Sequence, residues 1–326
     1  MIWMAGKRRP RATLGLDIGT GSVKASLIEH SSGRPCLLAA GEAACENGRW
    51  QDGIARALEG LVEHARRMDT LVVAAVRGRD VVVKRIEIED AGDRDLKDVL
   101  PWEAEQHIPF EMDDVVIDAQ VLERDVKTGT MDVLIVAARR RVIQYRLELA
   151  QTTGFPVAAI DVEALALRNA LVYSRPGAVR GISALIDVGR SESEIVVLAS
   201  GVPVLARCVA VGTDDIRIGP DEAEAPGSDL KGRIARLLEA AGRAVRFVRE
   251  EDLADGIGAV FLCGGGAAAP GLVRAMGEGL GIQTQVATPL ANLDMKGDAL
   301  DGIRTTGPEM GARLMATIGL GLRSFR

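Results

Sequence analysis

The feature that most constrains this chain is a duplication. Asp17-Ile18-Gly19, followed by an apolar strand from Val23, recurs 170 positions later as Asp187-Val188-Gly189, followed by an apolar strand from Ile195. Around the first copy, residues 13–18 and 23–29 alternate or run apolar on either side of a glycine-rich turn, which is the pattern of a β-hairpin. Each copy continues through a second glycine turn, Ser32-Gly33 or Ser200-Gly201, toward another apolar strand. A hairpin repeated at this distance implies two similar halves that face each other across a cleft.

The stretches between the copies alternate strand and helix, hence an α/β fold. A third strand is expected over 36–40, and Ile54, Leu58, Leu61 and Val62 form one apolar helical stripe ahead of a strand at 71–76. Residues 81–137 read differently: a strand at 81–86, a helix over 95–107, and a hairpin of 115–122 with 131–138 turning at Thr128-Gly129. One helix with three strands makes a small inserted α+β subdomain. Helices over 141–153 and 162–173 follow, the first closed by Gly154 and the second ending before Pro176. Beyond the second hairpin, 221–232 reads as a polar loop, 230–248 as a helix, 259–263 as a strand, and 270–280 as a helix opening on Pro270. An interior proline costs ~3 kcal/mol, so Pro101 is expected to start or kink its helix.

Composition narrows the function. A chain of 326 residues, 47% of them hydrophobic, suits two domains with a sizeable core and excludes disorder of the whole. Forty basic residues against 46 acidic ones leave a net charge of -6, and aromatics are 3%, which argues against a nucleic-acid partner. Four cysteines without a C-x-x-C pair and three histidines make a zinc site or a disulfide framework unexpected, and a reducing cytoplasm the natural compartment. Apolar runs such as 133–138 fall far short of the roughly 18 residues of a membrane span, so any membrane contact is expected to be indirect. Residues 1–12 carry charges after apolar residues, the wrong order for a secretion signal, and read as an N-terminal arm.

Three segments carry chemistry. In Asp17-Ile18-Gly19-Thr20-Gly21-Ser22-Val23-Lys24 the glycines let backbone N–H groups approach an oxyanion, Thr20 and Ser22 add hydroxyls, and Lys24 adds a point charge for a phosphate. Asp17 would repel that phosphate unless a divalent cation lay between them, which implies Mg²⁺ held through water. The alternative is a plain glycine turn capped by an acid. The second segment, Asp187-Val188-Gly189-Arg190-Ser191-Glu192-Ser193, repeats the acid and first glycine and ends on a hydroxyl, so Asp187 could hold the same cation from the other side. Its alternative is an ordinary turn. In the third, Gly264, Gly265 and Gly266 between a strand and a helix let a flat ligand or phosphate lie against bare backbone.

These segments resemble, in this order, the D-x-G-x-G-x-x-K, D-x-G-x-x-x-[ST] and G-G-x-x-x-x-P-G loops of the actin, Hsp70 and sugar-kinase superfamily. Within it, Trp102-Glu103-Ala104-Glu105-Gln106-His107-Ile108-Pro109-Phe110, Asp118-Ala119-Gln120-Val121-Leu122, Val136-Ala137-Ala138-Arg139 and Ile160-Asp161-Val162-Glu163 are similar to the PilM family of type IV pilus assembly and to the cytoplasmic part of the type II secretion L protein. The resemblance covers about 13–322. It implies an actin-like two-domain fold, with halves 13–80 plus 138–175 and 176–326, insertion 81–137, and a shortened fourth subdomain in the second half. It also implies ATP and Mg²⁺ as cofactors and at most a slow ATPase. Asp17, Gly19, Thr20, Gly21, Ser22 and Lys24 match the first phosphate loop, Asp187, Gly189 and Ser193 the second, and Gly264, Gly265 and Gly266 the nucleoside loop. Asp17 and Asp187 match the water-mediated Mg²⁺ contacts, and no further catalytic residue is assigned.

As partner, the resemblance implies the N-terminal cytoplasmic tail of a PilN-like bitopic inner-membrane protein, held between the first half and the insertion, with the pilus motor ATPases as further partners. The protein is then expected in the cytoplasm, peripheral at the inner membrane through those partners. Residues 81–88 are the expected tail-binding strand, since an extended peptide can add to an exposed sheet edge. Two departures stand out: Arg190 occupies a position where the family usually has a small residue, and Thr213 follows Gly212 where a second glycine is common. A small-molecule kinase of the same superfamily is the alternative; it would need a carboxylate base beside an acceptor hydroxyl.

Four further groups were weighed on residue type. Trp102, Ile108 and Phe110 are expected in the core, with a partner anchor as the alternative. Glu103 and Glu105 read as a solvated helix face, and Arg139-Arg140-Arg141 as a charged helix start rather than a lipid contact. Asp161 and Glu163 either orient water or Mg²⁺ at the cleft or cap a helix.

Overall fold

The computed structural model describes residues 2–3, 10–30, 34–45, 48–90, 92, 96–216, 232, 234–250, 256–296 and 309–323. The turn expected at Ser32-Gly33 and, apart from Gly232, the loop expected at 221–232 lie outside these residues, as does much of the segment expected to form the shortened fourth subdomain.

Two sheets form the frame. The first has seven strands in the order β1-β9-β5-β2-β3-β4-β15, namely Ile2–Trp3, Val157–Val162, Thr70–Val76, Ala12–Ile18, Ser22–Glu29, Cys36–Ala44 and Asp294–Met295. The second has eight in the order β14-β13-β10-β11-β12-β6-β8-β7: Thr284–Val286, Ile257–Cys263, Ile182–Val188, Ser193–Ala199, Val202–Val209, Val81–Glu89, Thr130–Arg139 and Val115–Asp125. In β2 every residue is buried, as a central strand flanked by a parallel neighbour requires.

The duplication extends to register. Strands β2 and β3 pair from Ala12↔Glu29 to Ile18↔Val23, and β10 and β11 pair from Ile182↔Ala199 to Val188↔Ser193, each partner 170 positions further on. Each hairpin also takes a parallel neighbour on its first strand, β5 beside β2 and β13 beside β10. The two tight turns therefore stand at equivalent places in the two sheets.

The insertion builds its own core. The helix Leu96–Glu105 lays Leu100 and Ala104 on β6, β8 and β7, together with Ile108 just beyond its end. That i, i+4, i+8 stripe leaves Trp102 on the opposite side, 77% exposed, so the expectation of a core tryptophan is corrected. Pro101 lies inside the helix rather than at its start, because the packing of Leu100 and Ala104 outweighs one missing backbone bond. Glu103 is half-buried and Glu105 exposed. Strand β6 meets the second half at a single ladder position, Lys84↔Leu205.

Later helices follow apolar spacing. Ala235–Glu250 buries Leu237, Ala240, Ala241, Ala244 and Val248 on one stripe. Leu272–Leu280 begins after Gly271, so Pro270 precedes the helix instead of opening it. Arg139, Arg140 and Arg141 do start a helix, Arg140–Gln151, and each is engaged there: Arg139 with Asp114 at 3.0 Å, Arg140 with the Asp113 carbonyl at 3.0 Å, and Arg141 with Asp80 at 2.9 Å.

Candidate functional site

Both hairpin turns are closed by the same bond. The Gly19 N–H donates to the Ser22 carbonyl at 3.0 Å, and the Gly189 N–H donates to the Glu192 carbonyl at 3.1 Å. Between the turns lies a cleft of about 870 Å³ lined by Asp17, Gly19, Thr20, Gly21, Ser22, Lys24, Asp187, Gly189 and Gly265. Nine of the twelve residues singled out in the sequence thus reach one cavity.

The other three do not line it. Ser193 is 1% exposed and donates to the Val211 carbonyl at 2.7 Å, so it ties the strand to the following loop rather than offering a hydroxyl to a ligand. Gly264 and Gly266 lie behind the cleft wall. Gly264 has φ +82°, and a Cβ there would stand 2.1 Å from Asp187 Oδ1. Bare backbone at this position is what allows the glycine loop to seat against the second turn.

Charge in the cleft is dense and paired. Lys24 Nζ lies 3.4 Å from Asp17 Oδ2, with both side chains largely shielded. Burial alone would push the Asp17 carboxyl up, but Lys24, Arg77 and Arg146 hold it below the usual carboxylate range. Burial disfavours the Lys24 ammonium, yet Asp17, Asp187 and Glu42 raise its pKa above the ordinary value. Asp187 goes the other way: burial raises its pKa, with Lys24 and Arg77 opposing.

Several residues that sequence reasoning missed complete the site. Arg77, just past β5, pairs with Glu163 at 3.2 Å and with Glu192 at 3.5 Å, so one guanidinium joins the first half to the second turn. Arg146 donates to the Ile18 carbonyl at 2.9 Å. Ser22 donates to Glu42 at 2.9 Å, and Glu42 in turn receives Arg313 at 2.7 Å. Nothing local in the sequence marks Arg77, which follows an ordinary apolar strand.

The two acids weighed together in the sequence separate in space. Glu163 opens helix Glu163–Ser174 at the cleft, and burial pushes its pKa up to about 7 against the pull of Arg77. Asp161 instead pairs with Arg323 at 3.0 Å, where both side chains are almost wholly buried, and accepts from the Val162 N–H at 2.8 Å. It anchors the end of the described chain.

A second concavity, about 290 Å³, lies between the first half and the insertion. Val76, Ile143, Ile160, Val162 and Leu165 form one wall and Val116, Ala119, Leu134, Val136 and Ala138 the other, with Asp161 on the first and Asp118 and Gln120 on the second as the polar lining. Among the described residues, strand β7 is the outermost strand of its sheet and its ladder partner is β8. Among the described residues the outer edge of this sheet is therefore β7; β6, the strand expected to be exposed, is flanked by β8 and touches β12.

The donor set fits a magnesium nucleotide. Asp17 and Asp187, buried carboxylates from opposite halves, would be the oxygen ligands of a divalent cation, Lys24 would face a phosphate at the first turn, and the glycine cradle behind Asp187 has no room for a Cβ.

The chain resembles the solved PilM–PilN type IV pilus biogenesis complex at 21% identity, covering 96% of this chain and 98% of that one, with a TM-score of 0.76. It also resembles the cytoplasmic domain of EpsL, an inner-membrane component of the type II secretion system of Vibrio cholerae, at 16% identity, covering 96% and 95%, with a TM-score of 0.50. A third likeness is component A of (R)-2-hydroxyglutaryl-CoA dehydratase from Acidaminococcus fermentans, at 13% identity, covering 96% and 97%, again at 0.50. These likenesses establish the actin-like fold. Among curated proteins, phosphoglucosamine mutase of Paraburkholderia xenovorans (strain LB400) is 28% identical over 207 residues, 57% of this chain; the chain spans 42% of that relative's length. Residues 15–217 match the family described as type IV pilus assembly protein PilM, and the chain belongs to that family.

Proposed function

We propose that this protein is a nucleotide-dependent assembly factor of a type IV pilus inner-membrane platform, holding Mg-ATP between its halves and the cytoplasmic tail of a PilN-like bitopic protein against its insertion. Family membership supports the pilus role. The likeness to a PilM–PilN complex supports the partner. Among the described residues no helix is long and apolar enough to cross a membrane, and the reading places the protein in the cytoplasm, peripheral at the inner membrane through that tail. The pilus motor ATPases are further partners in this reading. Its domains in this reading are an arm at 1–12, a first half of 13–80 with 138–175, an insertion at 81–137, and a second half of 176–326, from which Asp294–Met295 returns to pair with β4 in the first sheet.

The observation that carries the partner half of the proposal is the apolar groove beneath the β7 edge. An extended apolar tail can bury side chains between Leu165 and Val136 while its backbone pairs with β7. ATP supplies a polyphosphate that both turns can grip together. Such a ligand closes the halves only by binding the closed form more tightly than the open one. Arg77, already joined to Glu163 and Glu192, keeps the second turn in register with the first while that happens.

The test is a fluorescence titration with a labelled peptide of the partner's first dozen or so residues. Saturable binding that Leu165→Asp abolishes, in a variant that still unfolds cooperatively, supports the groove. Binding unchanged by that substitution moves the partner elsewhere and defeats the assignment.

A further inference from the structure

We infer that Arg190 senses the terminal phosphate in the cleft, leaving Asp214 to bind the last phosphate of a nucleoside triphosphate and so distinguishing it from a diphosphate. This rests on the nucleotide reading above and adds which residue reads the state of the nucleotide.

The cations of the cleft are unequally committed. Lys24 is held by Asp17 at 3.4 Å with side chains 13% and 7% exposed, Arg77 by Glu163 at 3.2 Å with 14% and 2%, and Arg313, 43% exposed, by the shielded Glu42 at 2.7 Å, a carboxylate only 13% exposed. Arg190 pairs with Asp214 at 3.2 Å, but those side chains are 53% and 52% exposed. Exposed pairs contribute little and are screened by water. A phosphate offers a guanidinium two parallel charge-assisted bonds, so Arg190 is the cation that exchanges partners most readily.

Its position suits the role. By the repeat, Arg190 is the counterpart of Thr20, at the tip of the second turn facing the first. Ser191 beside it donates to Thr20 Oγ1 at 2.9 Å across the cleft. The aliphatic stem lies on Gly21: a Cβ at that glycine would be 2.5 Å from Arg190 Cδ. The stem thus rests on the first half while the guanidinium stays tethered to the second, and transfer to a phosphate draws both halves onto one ligand.

The experiment is calorimetric titration of the full chain with magnesium-bound ADP and with a non-hydrolysable magnesium-bound ATP analogue. Wild type is expected to prefer the triphosphate. Arg190→Ala weakens triphosphate binding about tenfold and leaves diphosphate binding within about twofold. Asp214→Asn, which removes the competing carboxylate, tightens the triphosphate severalfold. Arg190→Gln, which keeps a stem over Gly21, shows the same loss as alanine; if it retains wild-type discrimination, the guanidinium is not the sensor. Equal weakening for both nucleotides, or tighter binding by Arg190→Ala, overturns the inference while leaving the nucleotide reading intact. Wild type that binds neither nucleotide overturns both.

Discussion

Gly264 approaches Asp187 so closely that a Cβ on the glycine would lie 2.1 Å from the carboxylate oxygen Oδ1, and it does so at φ +82°. The glycine loop and the second acidic turn are therefore one packed unit. Gly264→Ala strains the backbone and displaces Asp187 together. The expected result is a loss of about 2 kcal/mol in urea unfolding, along with weaker binding of magnesium nucleotide. A variant as stable as wild type would show that this contact tolerates displacement.

Arg77 provides a second handle. Replacing it with methionine leaves Glu163 buried without its guanidinium partner, a change that typically costs about 3–5 kcal/mol. Chemical denaturation measures it. A loss below about 1 kcal/mol would mean that other groups neutralise Glu163.

Glu163 also predicts a pH dependence. Its ordinary pKa is 4.5 and burial raises it to about 7, so the folded state binds its proton more tightly than the unfolded chain does. That contribution is fully present below about pH 4.5 and is lost as pH rises through about 7, a change on the order of 3 kcal/mol. Asp17, with a lowered pKa, acts in the opposite sense but below its ordinary 3.8, outside this window. Stability measured between pH 5 and 8 should fall with rising pH, and Glu163→Gln should make the slope shallower, the remainder belonging to Glu194, Asp187 and Asp161, whose carboxyls burial also pushes up. An unchanged slope in the glutamine variant would assign it to other groups.

Trp102 and Ile108 test the orientation of the helix and the residues that follow it. Trp102→Ala should change stability by no more than about 0.5 kcal/mol, whereas Ile108→Ala, at a site 5% exposed, should cost about 2–4 kcal/mol. Equal costs would contradict the stripe of Leu100, Ala104 and Ile108.

How much of this was legible beforehand depends on where the information lies in the chain. Asp17 and Asp187 could be matched by eye because the repeat preserves their spacing to Gly19 and Gly189, and turn chemistry is local. The direction of Ser193 is not legible in the sequence, because it is set by the Val211 carbonyl, a partner 18 residues away. Arg77 carries no local signal: its role arises only when β5 brings it between Glu163 and Glu192. The exposure of Trp102 is likewise not local information, because an aromatic at helical spacing looks the same on either face until the sheet beneath is known. The free edge moved from β6 to β7 because strand order within a sheet is not written in the periodicity of any one strand.

The central claim is that the two copies of one hairpin hold a single magnesium nucleotide. Calorimetric titration with Mg-ATP, of wild type beside Asp17→Ala and with phosphate release followed in parallel, tests it most directly. The account predicts saturable binding at one site, lost in the variant, with slow turnover or none. Absence of binding, or rapid turnover that depends on an added small hydroxyl compound, would contradict it.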